Sequence, residues 1–135
     1  MGLAEKRAAK TFQETTFVNK KKAIDDAAGF GVTLEVDWES LAVADYAHMY
    51  EDAFSKVYFE PVARAFQEIC KDDMGKEALK GALKKVVFCN KSDAHGANAI
   101  SFADGVLKID HHPVYNIDDI DVRKTAIVQV LEKAL

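Results

Sequence analysis

The sequence has few of the residues that hold small proteins together covalently or through metals. Its 135 residues include two cysteines, Cys70 and Cys89, and neither belongs to a C-x-x-C pair. This excludes a dense disulfide framework and a short cysteine zinc motif. Each cysteine lies in an apolar stretch, where a free thiol behaves as a small hydrophobic side chain. Stability must therefore come from a hydrophobic core, and hydrophobic residues make up 49% of the chain.

Long apolar runs and an excess of positive charge are also missing. No hydrophobic segment approaches the roughly 20 residues that span a bilayer, and residues 1–7 are too charged for a secretory signal. We therefore expect a cytoplasmic location and no membrane association. The net charge of −4 argues against a nucleic-acid partner, because non-specific affinity for nucleic acids comes from clustered lysine and arginine.

Signature motifs of common enzyme classes are absent as well. The sequence contains no Walker loop, no H-E-x-x-H, no G-x-S-x-G and no EF-hand loop. Gly29-Phe30-Gly31 precedes a predicted strand rather than a helix, so it is not a dinucleotide fingerprint. Cys89 and His95 are the residue types of a nucleophile and its base, but burial in a central strand disfavours the thiolate. We expect no resident cofactor.

The spacing of apolar residues predicts a single domain over residues 1–135, of the α+β class. The predicted order is α-β-α-α-α-β-β-β-α, a helical N-terminal half followed by a four-stranded, mainly antiparallel sheet closed by a C-terminal helix. Alternating residues from Val32 to Trp38 predict the first strand at an edge of the sheet. The other three strands are expected to form a meander. The continuously apolar run from Val86 to Cys89 predicts a central strand.

The helices of the first half are predicted from apolar stripes and from their end signals. Residues 3–28 form one predicted helix, which Gly29 terminates as a C-terminal cap. Two further helices are predicted at about 43–59 and 61–72. Pro61 separates them, because proline inside a helix removes a hydrogen bond and clashes with the preceding turn.

Asp104-Gly105 stands between two apolar runs and predicts a two-residue β-hairpin with a type I′ turn. With this turn, Phe102 faces Leu107 and Ile100 faces Ile109. Because side chains alternate along a strand, the register also sorts the residues that follow the hairpin into two faces.

Histidine and aspartate side chains near the end of this hairpin are candidate metal ligands, namely His95, Asp110, His111 and His112. Imidazole and carboxylate suit zinc, manganese or iron. The register predicts a partly buried His111 on the apolar face, with Asp110 and His112 on the other face. The alternative interpretation is a rim histidine, a surface Asp-His pair and a polar loop, because the spacing matches no short ligand motif.

The segment Ile109-Asp110-His111-His112-Pro113 resembles the Asp-His-His signature of the DHH phosphoesterases, which are metal-dependent enzymes that hydrolyse phosphodiester bonds. The resemblance covers these residues alone. It implies Mn²⁺ bound by Asp110 and His111. The family also uses further aspartates and a histidine on other strands, and this sequence has no counterpart of them.

The predicted helix 43–59 carries more aromatic residues than one buried face needs. Phe54, Tyr58 and Phe59 lie partly off its main apolar stripe. Either the helix packs between two neighbours, or these aromatics form a surface for a partner, since aromatic residues are enriched at interface hot spots. We predict that part of the set formed by Phe54, Tyr58 and Phe59 is exposed and binds a partner.

Two classes of function follow. The sequence favours a non-enzymatic protein-binding or adaptor domain, whose partner is another protein or a second copy of the chain. The alternative is a metal-dependent hydrolase with a His/Asp site near the end of the C-terminal hairpin. Whether the chain is an enzyme stays open, and the absence of catalytic motifs favours a non-enzymatic role.

Overall fold

A computed structural model describes residues 2–135 and shows a layer of helices packed against one face of a mixed four-stranded sheet. The predicted α+β class is confirmed. In this part of the chain, no helix is long and apolar enough to cross a membrane. The elements are α1 (Leu3–Glu14), α2 (Thr16–Ala28), β1 (Leu34–Val36), α3 (Trp38–Leu41), α4 (Tyr50–Phe54), a π-helical turn (Ser55–Phe59), α5 (Glu60–Ile69), α6 (Asp73–Ala82), β2 (Lys85–Cys89), a 3₁₀ turn (Gly96–Ala99), β3 (Ile100–Ala103), β4 (Val106–Asp110) and α7 (Ile120–Ala134).

The predicted helix over residues 3–28 is two helices, because the chain leaves the helical conformation at Thr15 (φ −120°, ψ −85°). In an unbroken helix, Phe12 and Phe17 would point to different faces, since five residues correspond to well over one turn. The break lets both rings pack on Trp38, with ring centroids 5.8 and 5.6 Å away. Gly29 caps α2 in the left-handed conformation, as predicted (φ 84°).

The strand order corrects the predicted meander. The order in the sheet is β1-β2-β4-β3, in which β1–β2 and β2–β4 are parallel and β3–β4 is antiparallel. The sheet is therefore mainly parallel, although β1 lies at an edge as predicted. Residues 90–99 form a connection long enough to skip one strand position, and β4 fills that position. This arrangement buries Leu107 and Ile109 of β4 in the centre and leaves β3, whose Ser101 and Ala103 are exposed, at the edge.

The predicted β3–β4 hairpin is confirmed. Phe102 pairs with Leu107 and Ile100 pairs with Ile109. Asp104 and Gly105 have φ of 54° and 80°, the left-handed values that a type I′ turn needs at both central residues.

We expect Gly105→Val to lower the free energy of unfolding by about 2 kcal/mol, because valine is strained at positive φ. A Cβ at this position would also lie 2.6 Å from the Lys84 Cγ and 2.9 Å from the Ala82 carbonyl oxygen. Urea denaturation followed by circular dichroism measures the loss. Asp104→Asn is the control and should be near neutral, because asparagine tolerates the left-handed region. Wild-type stability of Gly105→Val would contradict the turn geometry.

The predicted break at Pro61 is replaced by a continuous helical path from Tyr50 to Ile69 that contains the π-helical turn Ser55–Phe59. In this turn the Glu60 N–H donates to the Ser55 carbonyl, five residues back instead of four. The wider turn removes the conflict between the proline ring and the preceding turn that a regular α-helix would create. Proline thus lies inside the helical path without ending it.

Candidate functional site

The predicted site residues lie at one edge of the sheet. Strands β1, β2 and β4 run parallel, so their carboxyl ends meet at the same edge. The loops of residues 90–99 and 111–119 leave the sheet there. In open sheets with parallel strands, ligands usually bind outside the carboxyl ends of the strands. A ligand-binding or catalytic site is therefore expected at this edge of the sheet.

His111 is completely buried and both of its ring nitrogens are engaged. Nε2 accepts a hydrogen bond from the Gly96 N–H at 3.0 Å, and Nδ1 lies 2.7 Å from the His112 carbonyl oxygen. Since a carbonyl only accepts, the proton sits on Nδ1 and the ring is neutral. Burial lowers the pKa of His111 to about 4. The Tyr58 hydroxyl donates to the His111 carbonyl. His111 therefore links the loop of residues 90–99 to the loop of residues 111–119, and its carbonyl group links both to Tyr58 in the helical layer.

Asp110 is held by the loop that follows β2. One carboxylate oxygen accepts from the Lys91 N–H at 2.7 Å and the Ser92 N–H at 3.2 Å, and the other accepts from the Ser92 hydroxyl at 2.7 Å. Partial burial alone would raise the pKa of Asp110, but these hydrogen bonds lower it below its usual value. The carboxylate is ionised, and both of its oxygens accept hydrogen bonds from Lys91 or Ser92.

His112 lies at the surface side of the same edge, as predicted from the register. Its Nδ1 accepts from the Val114 N–H at 3.2 Å, and its Nε2 is 3.7 Å from the Asp93 carboxylate. Burial lowers the pKa of His112, and Asp93 raises it in part. The ring stacks on Tyr115 with centroids 3.7 Å apart, and His95 approaches the same tyrosine edge-on at 6.1 Å. Tyr115 is therefore the common neighbour of the two histidines.

The candidate metal ligands are thus close together but do not converge. Among residues 2–135, no group of three or more His, Cys, Asp or Glu side chains could hold a metal ion. The buried His111 presents its nitrogens to backbone groups, and Asp110 binds the Ser92 loop. The arrangement supports the structural interpretation, in which these side chains hold the loops in place.

The prediction of an exposed aromatic surface is wrong. Phe54, Tyr58 and Phe59 are all buried, with at most 1% of their surface exposed. Phe54 and Phe59 pack on Phe12 of α1 at 5.3 and 5.6 Å, and Phe59 also packs on Phe88 of β2 at 5.0 Å. The helix carrying them lies between the N-terminal helices and the sheet. It therefore buries two faces, and these aromatics belong to the core.

Sequence reasoning missed the buried Arg123 (1% exposed). Its guanidinium donates to the carbonyls of Asn116 at 2.8 Å, Ile117 at 2.7 Å and Lys56 at 3.2 Å. The Lys56 carbonyl lies in the π turn, where its regular partner would be the N–H of residue 61, and proline has none. Arg123 supplies the missing donor. The sequence did contain a signal for this burial, because Arg123 lies three residues after Ile120 and therefore on the apolar stripe of α7.

A scan against protein-family models finds no matching family, and searches of the curated proteins and of the solved structures find no match either. The fold and the site define only a class, a mixed-sheet α+β domain in which helices cover one sheet face. Function must be argued from the surfaces of the chain.

Proposed function

We propose that this chain is a non-enzymatic protein-binding domain that pairs with a second copy of itself through the free edge of β3. The observation that supports the proposal is that the outer side of β3 is unpaired among residues 2–135. β3 is the last strand of the sheet, and no other strand among residues 2–135 pairs with its outer side. Its sequence, Ile100-Ser101-Phe102-Ala103, contains neither charge nor proline, the usual means by which edge strands avoid pairing.

The hairpin register indicates which backbone groups are free. In a two-residue hairpin the residues that flank the turn exchange two hydrogen bonds, and bonded and non-bonded pairs then alternate. Ala103 and Ser101 are therefore bonded to β4, while the N–H and C=O groups of Ile100 and Phe102 point away from it. The Ile100 N–H donates to the Ala97 carbonyl at the end of the 3₁₀ turn, but the Ile100 carbonyl and both backbone groups of Phe102 have no protein partner among residues 2–135. They are available to an added strand.

A second copy is the simplest partner, because an antiparallel pair of identical strands is self-complementary about a two-fold axis. An axis through Ser101 would pair Ile100 of each copy with Phe102 of the other, so that the Phe102 N–H of each copy donates to the Ile100 carbonyl of the other and two backbone hydrogen bonds form. The sheet face that is not covered by helices is compatible with this arrangement. Ser101 and Ala103 point to that face and are exposed and small, so their side chains do not obstruct pairing.

The sheet itself also favours a partner. A continuous eight-stranded sheet would protect the β3 edge without a change in either copy. The alternative of a metal-dependent hydrolase stays a prediction, and the geometry of the histidines gives it no support.

Cysteine cross-linking tests the proposal. In the proposed dimer, the two copies of residue 101 face each other as a non-hydrogen-bonded pair with Cα atoms about 4.5 Å apart, within the range that a disulfide spans. We expect Ser101→Cys to form a disulfide-linked dimer under mild oxidation. Ala103→Cys is the matched control on the same strand, and it should remain mainly uncrosslinked because it faces a different residue. The natural Cys70 and Cys89 are buried and do not interfere.

Sedimentation equilibrium gives the second measurement. The wild-type chain should show a species of about twice its 14.9 kDa mass, and Ser101→Glu should dissociate it by placing two like charges opposite each other. Ala103→Glu should have a smaller effect. A wild-type chain that remains monomeric at high concentration, or equal cross-linking at positions 101 and 103, would refute the proposal.

A further inference from the structure

A second feature lies in the helical layer, away from the β3 edge. A groove of about 360 Å³ runs between the start of α2 and the helical path through the π turn. It is lined by hydroxyl, ammonium and carboxylate groups and by the imidazole of His48, and the size falls within the range of small-molecule sites. π-helical turns inside α-helices occur frequently at functional sites.

The Ser55 hydroxyl is the unusual group in this groove. Ser55 is the first residue of the π turn and is 93% buried, since 7% of its surface is exposed. A buried serine in a helix normally donates to a carbonyl of the preceding turn. Ser55 makes no such bond, and its hydroxyl has no hydrogen-bond partner in the part of the chain that the structure describes. Because Ser55 lines the groove, its hydroxyl is available to a ligand.

The groove also carries charges of both signs. The Lys20 ammonium lies 3.2 Å from a Glu60 carboxylate oxygen, and the Thr16 hydroxyl donates to the Glu51 carboxylate at 3.1 Å. Lys56 lies next to Ser55 in the chain and pairs with acidic residues outside the turn. Both lysine side chains are about two-thirds buried, with 30% and 31% exposed.

Because the groove carries charges of both signs, it favours a ligand that also carries both signs. A simple anion or cation would take one member of an ion pair and leave the other without a partner, which is unfavourable at a partly buried site. A molecule that carries an amine and a carboxylate can satisfy both signs at once. We infer that the groove binds a small zwitterion of the free amino acid class, with its carboxylate toward Lys20 and Lys56, its ammonium group toward Glu60 and Glu51, and the Ser55 hydroxyl as an additional partner.

Amide chemical-shift perturbation in ¹⁵N-labelled full-length chain tests this inference. Glycine, L-alanine and L-glutamine are the zwitterionic probes, and acetate, methylammonium and glycerol carry one charge or none. We expect saturable shifts at the amides of Ser55 and Lys56 with at least one amino acid, and none with the three control compounds. No shift with any amino acid at millimolar concentration, or equal shifts with acetate or methylammonium, would overturn the inference.

Variants separate binding from a general change in the fold. Ser55→Ala removes the hydroxyl without adding volume, and we expect about tenfold weaker binding, the effect of one hydrogen bond to a charged group. Thr125→Ala removes an exposed hydroxyl of α7 that does not line the groove, and this variant should bind like the wild type. Glu51→Gln, an exposed position, should weaken binding even if Ser55→Ala does not fold. Unchanged affinity in both groove variants would show that the groove is not the binding site.

Discussion

Replacing Gly75 by alanine is expected to lower the free energy of unfolding by about 3 to 5 kcal/mol, the upper end of the effects of added core volume. Gly75 lies in the first turn of α6, directly after the corner that joins it to α5. A Cβ there would be 1.7 Å from the Ile69 carbonyl oxygen and 2.8 Å from its carbon. These are backbone atoms, so a side-chain rotation cannot relieve the overlap. Either α6 must move away from α5, or its first turn must unwind.

The same helix provides a matched control for this prediction. At Gly81 an added Cβ meets no atom within 4 Å. Gly81→Ala should therefore stabilise the chain by about 0.5 to 1 kcal/mol, because alanine loses less conformational entropy than glycine in a helix. Chemical denaturation of both variants gives the two values. If both changed stability by a similar amount, the close approach of α5 and α6 at Ile69 would be wrong.

The second large expected effect is a loss of stability at low pH, which is caused by the burial of the neutral His111 ring. The folded chain holds the ring neutral, with a pKa of about 4 instead of 6.5, because the ring is fully buried. Above pH 6.5 the ring is neutral in the folded and unfolded states, and its contribution to stability is fully present. As the pH falls, the unfolded chain takes up a proton near pH 6.5 while the folded chain does so only near pH 4. Stability is therefore lost across this interval, by about 3 kcal/mol in total.

The measurement is the free energy of unfolding of wild type and His111→Gln between pH 7 and pH 4. Glutamine does not titrate, so the variant should lose about 3 kcal/mol less over this range. NMR titration of the His111 ring gives its pKa directly if the glutamine variant is unstable. A pKa near 6.5, or equal pH dependence in wild type and His111→Gln, would contradict the buried neutral ring.

The elements that sequence reasoning predicted correctly are those with short-range causes. Asp104-Gly105 forms the predicted turn because both positions need left-handed backbone angles, and neighbouring residues set the register. Gly29 ends α2 for a similar local reason. In each case a few consecutive residues contain all the groups that make the interaction.

The predictions that failed depend on distant parts of the chain. Pro61 was expected to end a helix, but the π turn and the Arg123 guanidinium, which comes from a helix 62 positions away, provide for the altered hydrogen bonds. Part of the set formed by Phe54, Tyr58 and Phe59 was expected at the surface, but α1 and β2 supply a second buried face for the helix that carries it. No local pattern contains either neighbour.

The candidate site divides in the same way. The alternation of side chains along β4 predicted a partly buried His111 and a more exposed His112, and in the structure His111 is completely buried while His112 is partly exposed. The partners of these rings, Gly96 and Tyr115, could not be predicted, because they depend on how two loops fold over the strand ends.

By itself the sequence determined the α+β class, the hairpin with its register, and the face on which each residue of β4 lies, since turn chemistry and side-chain alternation act over a few residues. Only the tertiary structure decided that β4 lies between β2 and β3, because strand order depends on which strand buries most apolar surface in the centre. It also decided that the Ser55 hydroxyl lines a charged groove, since α2 and the π turn meet only through packing of the whole helical layer.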